Sequence, residues 1–193
     1  MRGRRLKRDF YVRDTVLVAR ELCGMYLVRE LDGERRVGRI IETEAYTGHD
    51  DQASHARRGP TPRAAIMFGR PGVAYVYQIY GVSFCLNLVT MPAGFPAAVL
   101  VRAIEPVSGI PEGVRTDGPG RLCKALSIDR AQNGHDLTRS PLWVEDRNDV
   151  RPTLVATPRV NVDYAGDWAL REWRFAVVGT RYSQPRWTGP RRP

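Results

Sequence analysis

The sequence predicts one α+β domain built on a mostly antiparallel sheet. Strand-favouring apolar runs come in consecutive pairs about short glycine turns, the pattern of hairpins. Helical spacing with recognisable caps is confined to a few short segments. The chain has 193 residues, 42% of them apolar and 26% charged, which suits a single core and excludes a disordered or fibrous protein.

Asp14 or Thr15 can cap a first helix running to Cys23, where Val16, Leu17, Leu22, Cys23 and the stem of Arg20 offer an apolar stripe and Gly24 a stop. Met25 to Leu31 and Val37 to Ala45 follow as strands about Asp32-Gly33, residues suited to a type I′ turn. From Thr47 to Pro71 the composition shifts to Gly, Pro, His and Arg, which predicts a long irregular loop with a helical turn after Pro62. Long loops in compact domains are usually functional. Val73 to Tyr80 and Val82 to Val89 form the next strand pair about Gly81, and Ala97 to Ile104 is a strand ending at Glu105-Pro106. Gly118-Pro119-Gly120 precedes a helix through Leu122, Ala125 and Leu126, and the remainder, with Trp143, Val160, Trp168 and Phe175, reads as short strands. No repeat or linker divides residues 1–193, but both ends are basic and read as solvated arms, 1–13 and 183–193.

Thirty Lys+Arg against 21 Asp+Glu give a net charge of +9, and Lys7 and Lys124 are the only lysines. Arginine forks onto phosphates, so a polyanion partner fits, although an arginine-biased composition alone would look the same. Cys23, Cys85 and Cys123 lie far apart without a C-x-x-C, which points to reduced core thiols and away from a zinc ribbon or a disulfide scaffold. No metal site and no cofactor are expected. No apolar stretch follows the basic start as a signal peptide requires, so a cytoplasmic protein is expected. The uncharged run between Arg70 and Arg102 is broken by Pro92, Pro96 and polar residues, and reads as buried hairpins with no membrane span.

Glu42 and Glu44 stand at i and i+2 on an apolar strand, so they share a face that Tyr46 continues. They are either a solvated edge or a carboxylate held in a cleft as a general base. Arg102, on another apolar strand, is a surface ion-pair residue or the counter-charge to such a carboxylate. Tyr75 and Tyr77 also share a face, and Tyr80 abuts the Gly81 turn. Tyrosines on strands are ordinarily core. An aromatic at a hairpin tip is exposed, however, and in a basic protein it suggests a wedge between base steps, with its strand partners as stacking faces. His55 stands in the long loop among Arg57, Arg58 and Arg63 and reads by itself as a solvated residue; His49 and His135 do not suggest metal ligands beside it. Asn87, a polar residue between Leu86 and Leu88 in an otherwise uncharged strand, reads by itself as an amide tying two strands together.

Taken together, Glu42-Thr43-Glu44-Ala45-Tyr46, His55, Thr61-Pro62-Arg63, Met67-Phe68, Pro71-Gly72, Tyr75 to Gly81, Phe84-Cys85-Leu86-Asn87, Leu100 to Pro106 and Gly118 to Leu122 closely resemble the 3-methyladenine (alkyladenine) DNA glycosylase family. The likeness runs in order over most of the chain and joins several motifs at compatible spacing. It implies a single mixed α+β domain around a curved antiparallel sheet with a protruding β-hairpin. The implied activity is a monofunctional base-excision enzyme that flips alkylated or deaminated purines out of duplex DNA and hydrolyses the N-glycosidic bond, leaving an abasic site. By the same likeness Glu44 activates the water and Arg102 helps hold it, while Tyr46, His55 and Tyr77 line the base pocket. Tyr80 fills the hole left in the duplex, and Asn87 disfavours normal guanine. Damaged double-stranded DNA is then the partner, a monomer the expected state, and the nucleoid the expected place.

The chemistry suits these residue types without the likeness. Glycosidic cleavage builds positive charge on the sugar, which a carboxylate can stabilise while deprotonating water. Strand nicking would need an amine nucleophile, and both lysines lie outside the motifs. A non-catalytic nucleic-acid-binding domain is the rival reading, but such a module has no need of Glu44 and Arg102 on apolar strands.

Overall fold

The computed structural model describes residues 3–181. Its centre is a nine-stranded sheet whose main path runs β1 (Arg4–Arg5), β7 (Leu142–Asp146), β2 (Tyr26–Leu31), β3 (Glu34–Thr47), β6 (Ala97–Ser108), β5 (Ser83–Val89), β4 (Ala74–Ile79), every pairing antiparallel. Two short strands, β8 (Leu154–Thr157) and β9 (Arg174–Val177), complete it, with β9 pairing both β8 and the end of β3. Three helices accompany the sheet: α1 (Arg8–Tyr11), α2 (Thr15–Leu22) and α3 (Pro119–Ala125).

The expected turns form for the expected reasons. Asp32 and Gly33 have φ of 51° and 82°, as a type I′ hairpin requires. The α2 cap is Asp14, whose side chain accepts from the Leu17 amide at 2.9 Å, and Gly24 at φ 95° ends that turn. Strand β6 runs past Pro106, which the sequence made its end. A register shift between Val37 and Gly38 lies beside the Gly38–Pro106 pair, and such irregularities are where a strand tolerates a residue without an N–H.

Period-two alternation divides the sheet into a packed face and a cavity face. On β3, Ile41 and Ala45 join the main core, with Thr43 between them donating to the Ala19 carbonyl of α2 at 2.7 Å. Leu86 and Leu88 of β5, Val99, Val101 and Ala103 of β6, and Leu122 and Leu126 by α3 belong to the same core. The intervening residues, Glu44 and Tyr46, Tyr75 and Tyr77, Cys85 and Asn87, and Ala98, Leu100 and Arg102, are left for the other side. All three cysteines are buried and free. Among the described residues, no helix is long and apolar enough to cross a membrane.

Three further expectations differ from this structure. Part of the 1–13 arm is folded: β1 pairs with β7, Leu6 and Tyr11 are buried, and Arg8 binds Asp136 at 2.7 Å as well as the Pro71 carbonyl. Its charges are therefore partly consumed in ion pairs. The 183–193 arm lies outside the described residues. Val160 is in a loop, and Trp168 lies in a 3-10 segment, Asp163–Leu170, kinked at Gly166; short aromatic-rich segments carry too little periodicity to tell such turns from strands. The long loop holds two 3-10 turns, His55–Arg58 and Ala65–Phe68, where a single one was expected.

Candidate active site

Strand alternation brings Glu42, Glu44 and Arg102 together. Arg102 Nε donates to Glu42 Oε1 at 2.8 Å and Nη1 to Glu44 Oε2 at 3.2 Å. Thr43 pairs with Val101 while Glu42 pairs with Ala103, so Arg102 is the extra residue of a bulge. Bulges re-aim side chains, and this one turns a guanidinium onto two carboxylates. Glu42 Oε1 also accepts from Arg174 Nε at 2.7 Å. Glu44 is fully buried, and its other partners are the Tyr46 hydroxyl, donating to Oε2 at 2.8 Å, and the Val160 amide, donating to Oε1 at 2.7 Å. Burial pulls the Arg102 pKa down, but Glu44 and Glu42 more than reverse this, so the guanidinium remains a fixed cation. Burial first, then Glu44, raises the Tyr46 hydroxyl well above its usual range and keeps it a proton donor.

Above these groups lies a cavity of about 390 Å³, whose lining includes Tyr46, His55, Tyr77, Asn87, Arg102 and Tyr80. Its volume is that of a small-molecule pocket able to enclose one flat heterocycle and part of its attachment. His55 and Tyr77 meet edge to face, 4.7 Å between centroids, and Tyr75 lies 5.2 Å from Tyr77. The Tyr75 hydroxyl is 2.9 Å from His55 Nδ1 and fixes that ring. Surrounding burial, then Arg63 and Arg57, lowers the His55 pKa to about 4, so the imidazole is neutral at physiological pH although it is partly exposed. Asn87 is buried on the same wall and its Nδ2 donates to the Tyr75 carbonyl at 3.1 Å, so it ties β5 to β4 as well as lining the cavity. Tyr80 is 90% exposed at the turn between β4 and β5. Its φ of 49° is unusual for a bulky residue, and Gln78 Nε2 braces the turn by donating to the Gly81 carbonyl at 2.6 Å.

The His55 shift fixes a sign. Because the folded-state pKa lies below the unfolded one, the stability linked to neutral His55 is whole above pH ~6.5 and drains as pH falls toward about 4. His55→Phe, which has no proton to gain, is expected to show a shallower loss of Tm over this window than the wild type. Parallel curves would mean that the folded and unfolded imidazoles titrate alike.

Comparison with known proteins decides the family. The model of methylpurine-DNA glycosylases (MPG) matches residues 9–181. The chain belongs to this family. A protein of Anaeromyxobacter dehalogenans strain 2CP-C is 58% identical over 179 residues, covering 92% of this chain and 86% of its own. One of Myxococcus xanthus strain DK1622 is 53% identical over 178 residues, covering 92% of both, and one of Legionella pneumophila strain Corby 45% identical over 180 residues, covering 93% and 97%. All three are named, provisionally, 3-methyladenine DNA glycosylases. The resemblance carried by the sequence motifs is thereby shown.

For a methylpurine-DNA glycosylase fold, the site holds more than the residues to which the resemblance gave roles. Arg63 lies over the Tyr77 ring, 4.4 Å from its centroid. A fully buried pair, Arg159 and Asp51, is joined with Nη1 and Nη2 on Oδ2 and Oδ1 at 2.6 and 2.8 Å, and the guanidinium lies 4.7 Å from the ring centroid of Tyr46, which lines the cavity. Neither member stood out in the sequence. Asn161, at φ 59°, turns the chain directly after the amide that holds Glu44. Among the described residues, no group of three or more His, Cys, Asp or Glu is placed to hold a metal ion.

Proposed function

We propose that the protein is a monofunctional base-excision repair glycosylase that takes an alkylated or deaminated purine from duplex DNA into this cavity and hydrolyses its N-glycosidic bond. The observation that carries the reading is the hydrogen bonding of Glu44. A carboxylate offers about four acceptor directions. Val160, Tyr46 and Arg102 occupy three, which leaves one for a water; Glu44 is itself fully buried, and these three partners are the residues through which it adjoins the cavity they line. Glu44 takes that water's proton as the C1′–N bond breaks, and its charge stabilises the oxocarbenium-like sugar. Arg102 holds the carboxylate in place and donates toward the water. Departure of the base leaves an abasic site.

Tyr46, His55 and Tyr77 receive the extruded base. Neutral His55 and the tyrosine rings offer flat faces and edges against which an extruded purine can stack. Extrusion costs a few kcal/mol and is cheapest at damaged pairs. Tyr80 offsets part of that cost by filling the vacated space in the stack. The test is incubation with duplexes carrying single 3-methyladenine, 7-methylguanine, hypoxanthine or ethenoadenine residues, scored for abasic sites. Failure to release base from any of them would return the chain to a binding role.

Two results are expected within this reading. Tyr80→Ala should weaken lesion-duplex binding roughly tenfold, the scale of one lost stacking contact, and lower the fraction of flipped base reported by ethenoadenine fluorescence. Unchanged flipping and rate would show that Tyr80 does not enter the duplex. Asn87→Ala should raise excision of undamaged guanine relative to hypoxanthine, because an amide facing the purine edge excludes the 2-amino group. A uniform fall in all activities with a lower Tm would leave Asn87 only its tie to the Tyr75 carbonyl.

A further inference from the structure

Tyr164 is 63% exposed at the margin of the cavity that it helps to line. It does not hang free. Its hydroxyl donates to the Ala53 carbonyl at 3.3 Å, and the Arg57 guanidinium lies 5.2 Å from its ring centroid. Arg57 is itself anchored by Nη1 to the Gln52 carbonyl at 2.5 Å. The two residues come from opposite parts of the chain. Arg57 shares the 3-10 turn of His55, and Tyr164 follows Val160, whose amide holds Glu44. The pair is therefore registered to both the base-stacking residues and the carboxylate. A ring held in place with so much of its surface in water is of little use to the core, and an arginine has five donors, more than its one carbonyl contact uses.

We propose that Tyr164 and Arg57 form a second nucleotide subsite, which holds the nucleotide next to the lesion on the damaged strand. This rests on the glycosylase reading above. A base drawn into the cavity brings its own strand's backbone to the cavity margin, so the adjacent nucleotide of that strand is the group that must pass there. Tyr164 offers its open ring to the sugar or base, contact that any sequence can make, and Arg57 takes the phosphate. The subsite thus differs from the Tyr80 tip, which stays in the duplex in place of the extruded base.

The experiment uses the full chain and two hypoxanthine duplexes, one with an intact damaged strand and one whose damaged strand ends at the lesion, made in both polarities. Tyr164→Ala is expected to bind the intact duplex roughly tenfold more weakly and to match the wild type on the truncated duplex lacking the neighbour that the subsite holds. Tyr164→Phe, which keeps the ring, should stay within about twofold on both, a change too small for a lost stack. Arg57→Ala should lower the slope of log binding against log salt by about one. Equal loss by Tyr164→Ala on intact and both truncated duplexes would overturn the subsite and assign Tyr164 to the pocket wall. So would an unchanged salt slope for Arg57→Ala. Wild-type protein that releases no hypoxanthine from the intact duplex would instead overturn the glycosylase reading, and the binding arms would still report on the subsite.

Discussion

Glu44→Gln is expected to abolish excision while leaving lesion binding nearly intact. The amide keeps the shape of the carboxylate but cannot take the water's proton, and general-base catalysis alone is worth about 10²–10⁴-fold. Loss of the negative charge beside a developing sugar cation adds to this, so a single-turnover rate at least ~10³ below wild type is expected. The geometry adds a second consequence. Glu44 Oε1 faces the Val160 N–H, and Oε2 faces Arg102 and the Tyr46 hydroxyl. Whichever oxygen becomes NH2 then meets a donor, so some hydrogen bonding is lost, at about 1–3 kcal/mol for an unsatisfied buried group. A lower Tm should therefore accompany the lost rate, and binding to a lesion duplex, measured well below Tm, separates the two effects. A rate within tenfold of wild type would remove Glu44 from the base role.

What the sequence made legible is what local rules govern. Alternation on β3 placed Glu42, Glu44 and Tyr46 on one face, and Asp32-Gly33 marked its hairpin. The same rule set Tyr75 beside Tyr77 and away from the core-facing Val76. Other parts of the site depend on contacts between distant segments. The Glu44 contact at Val160 is made by a main-chain N–H, which every residue but proline carries, so no side chain announces it. Asp51 and Arg159 read separately as loop charges, because only the folded chain shows that both are buried and face each other. Arg102 was marked by its place on an apolar strand, yet the bulge that aims it cannot be read from one strand alone. Likewise Tyr75 was visible as a strand tyrosine, but its hold on His55 depends on how the long loop folds over β4.

That buried pair carries the second large effect. Asp51 receives both Arg159 nitrogens and also accepts from the Thr47 and Ala53 amides at 3.2 and 3.0 Å, while Arg159 donates to the Ala45 and Trp168 carbonyls at 2.9 and 3.2 Å. It joins the end of β3, the segment leading to His55, and the chain on either side of Val160. Arg159→Met keeps much of the volume but leaves a buried carboxylate without its cation, which costs about 3–5 kcal/mol. For a domain of this size each kcal/mol moves Tm by about 2–4 °C, so a fall of roughly 6–20 °C is expected by calorimetry. The double variant Asp51→Asn with Arg159→Met removes both charges and should recover part of the loss, as coupled partners do and independent sites do not. The effect should reach the chemistry as well. Arg159 lies against Tyr46, and its neighbour's amide holds Glu44, so the variant, assayed below its Tm, should lose excision rate more than lesion affinity. Strictly additive Tm changes across the three variants would mean that Asp51 and Arg159 contribute separately. A fall of less than about 2 °C for Arg159→Met would mean that water or a rearranged side chain satisfies Asp51 in its place.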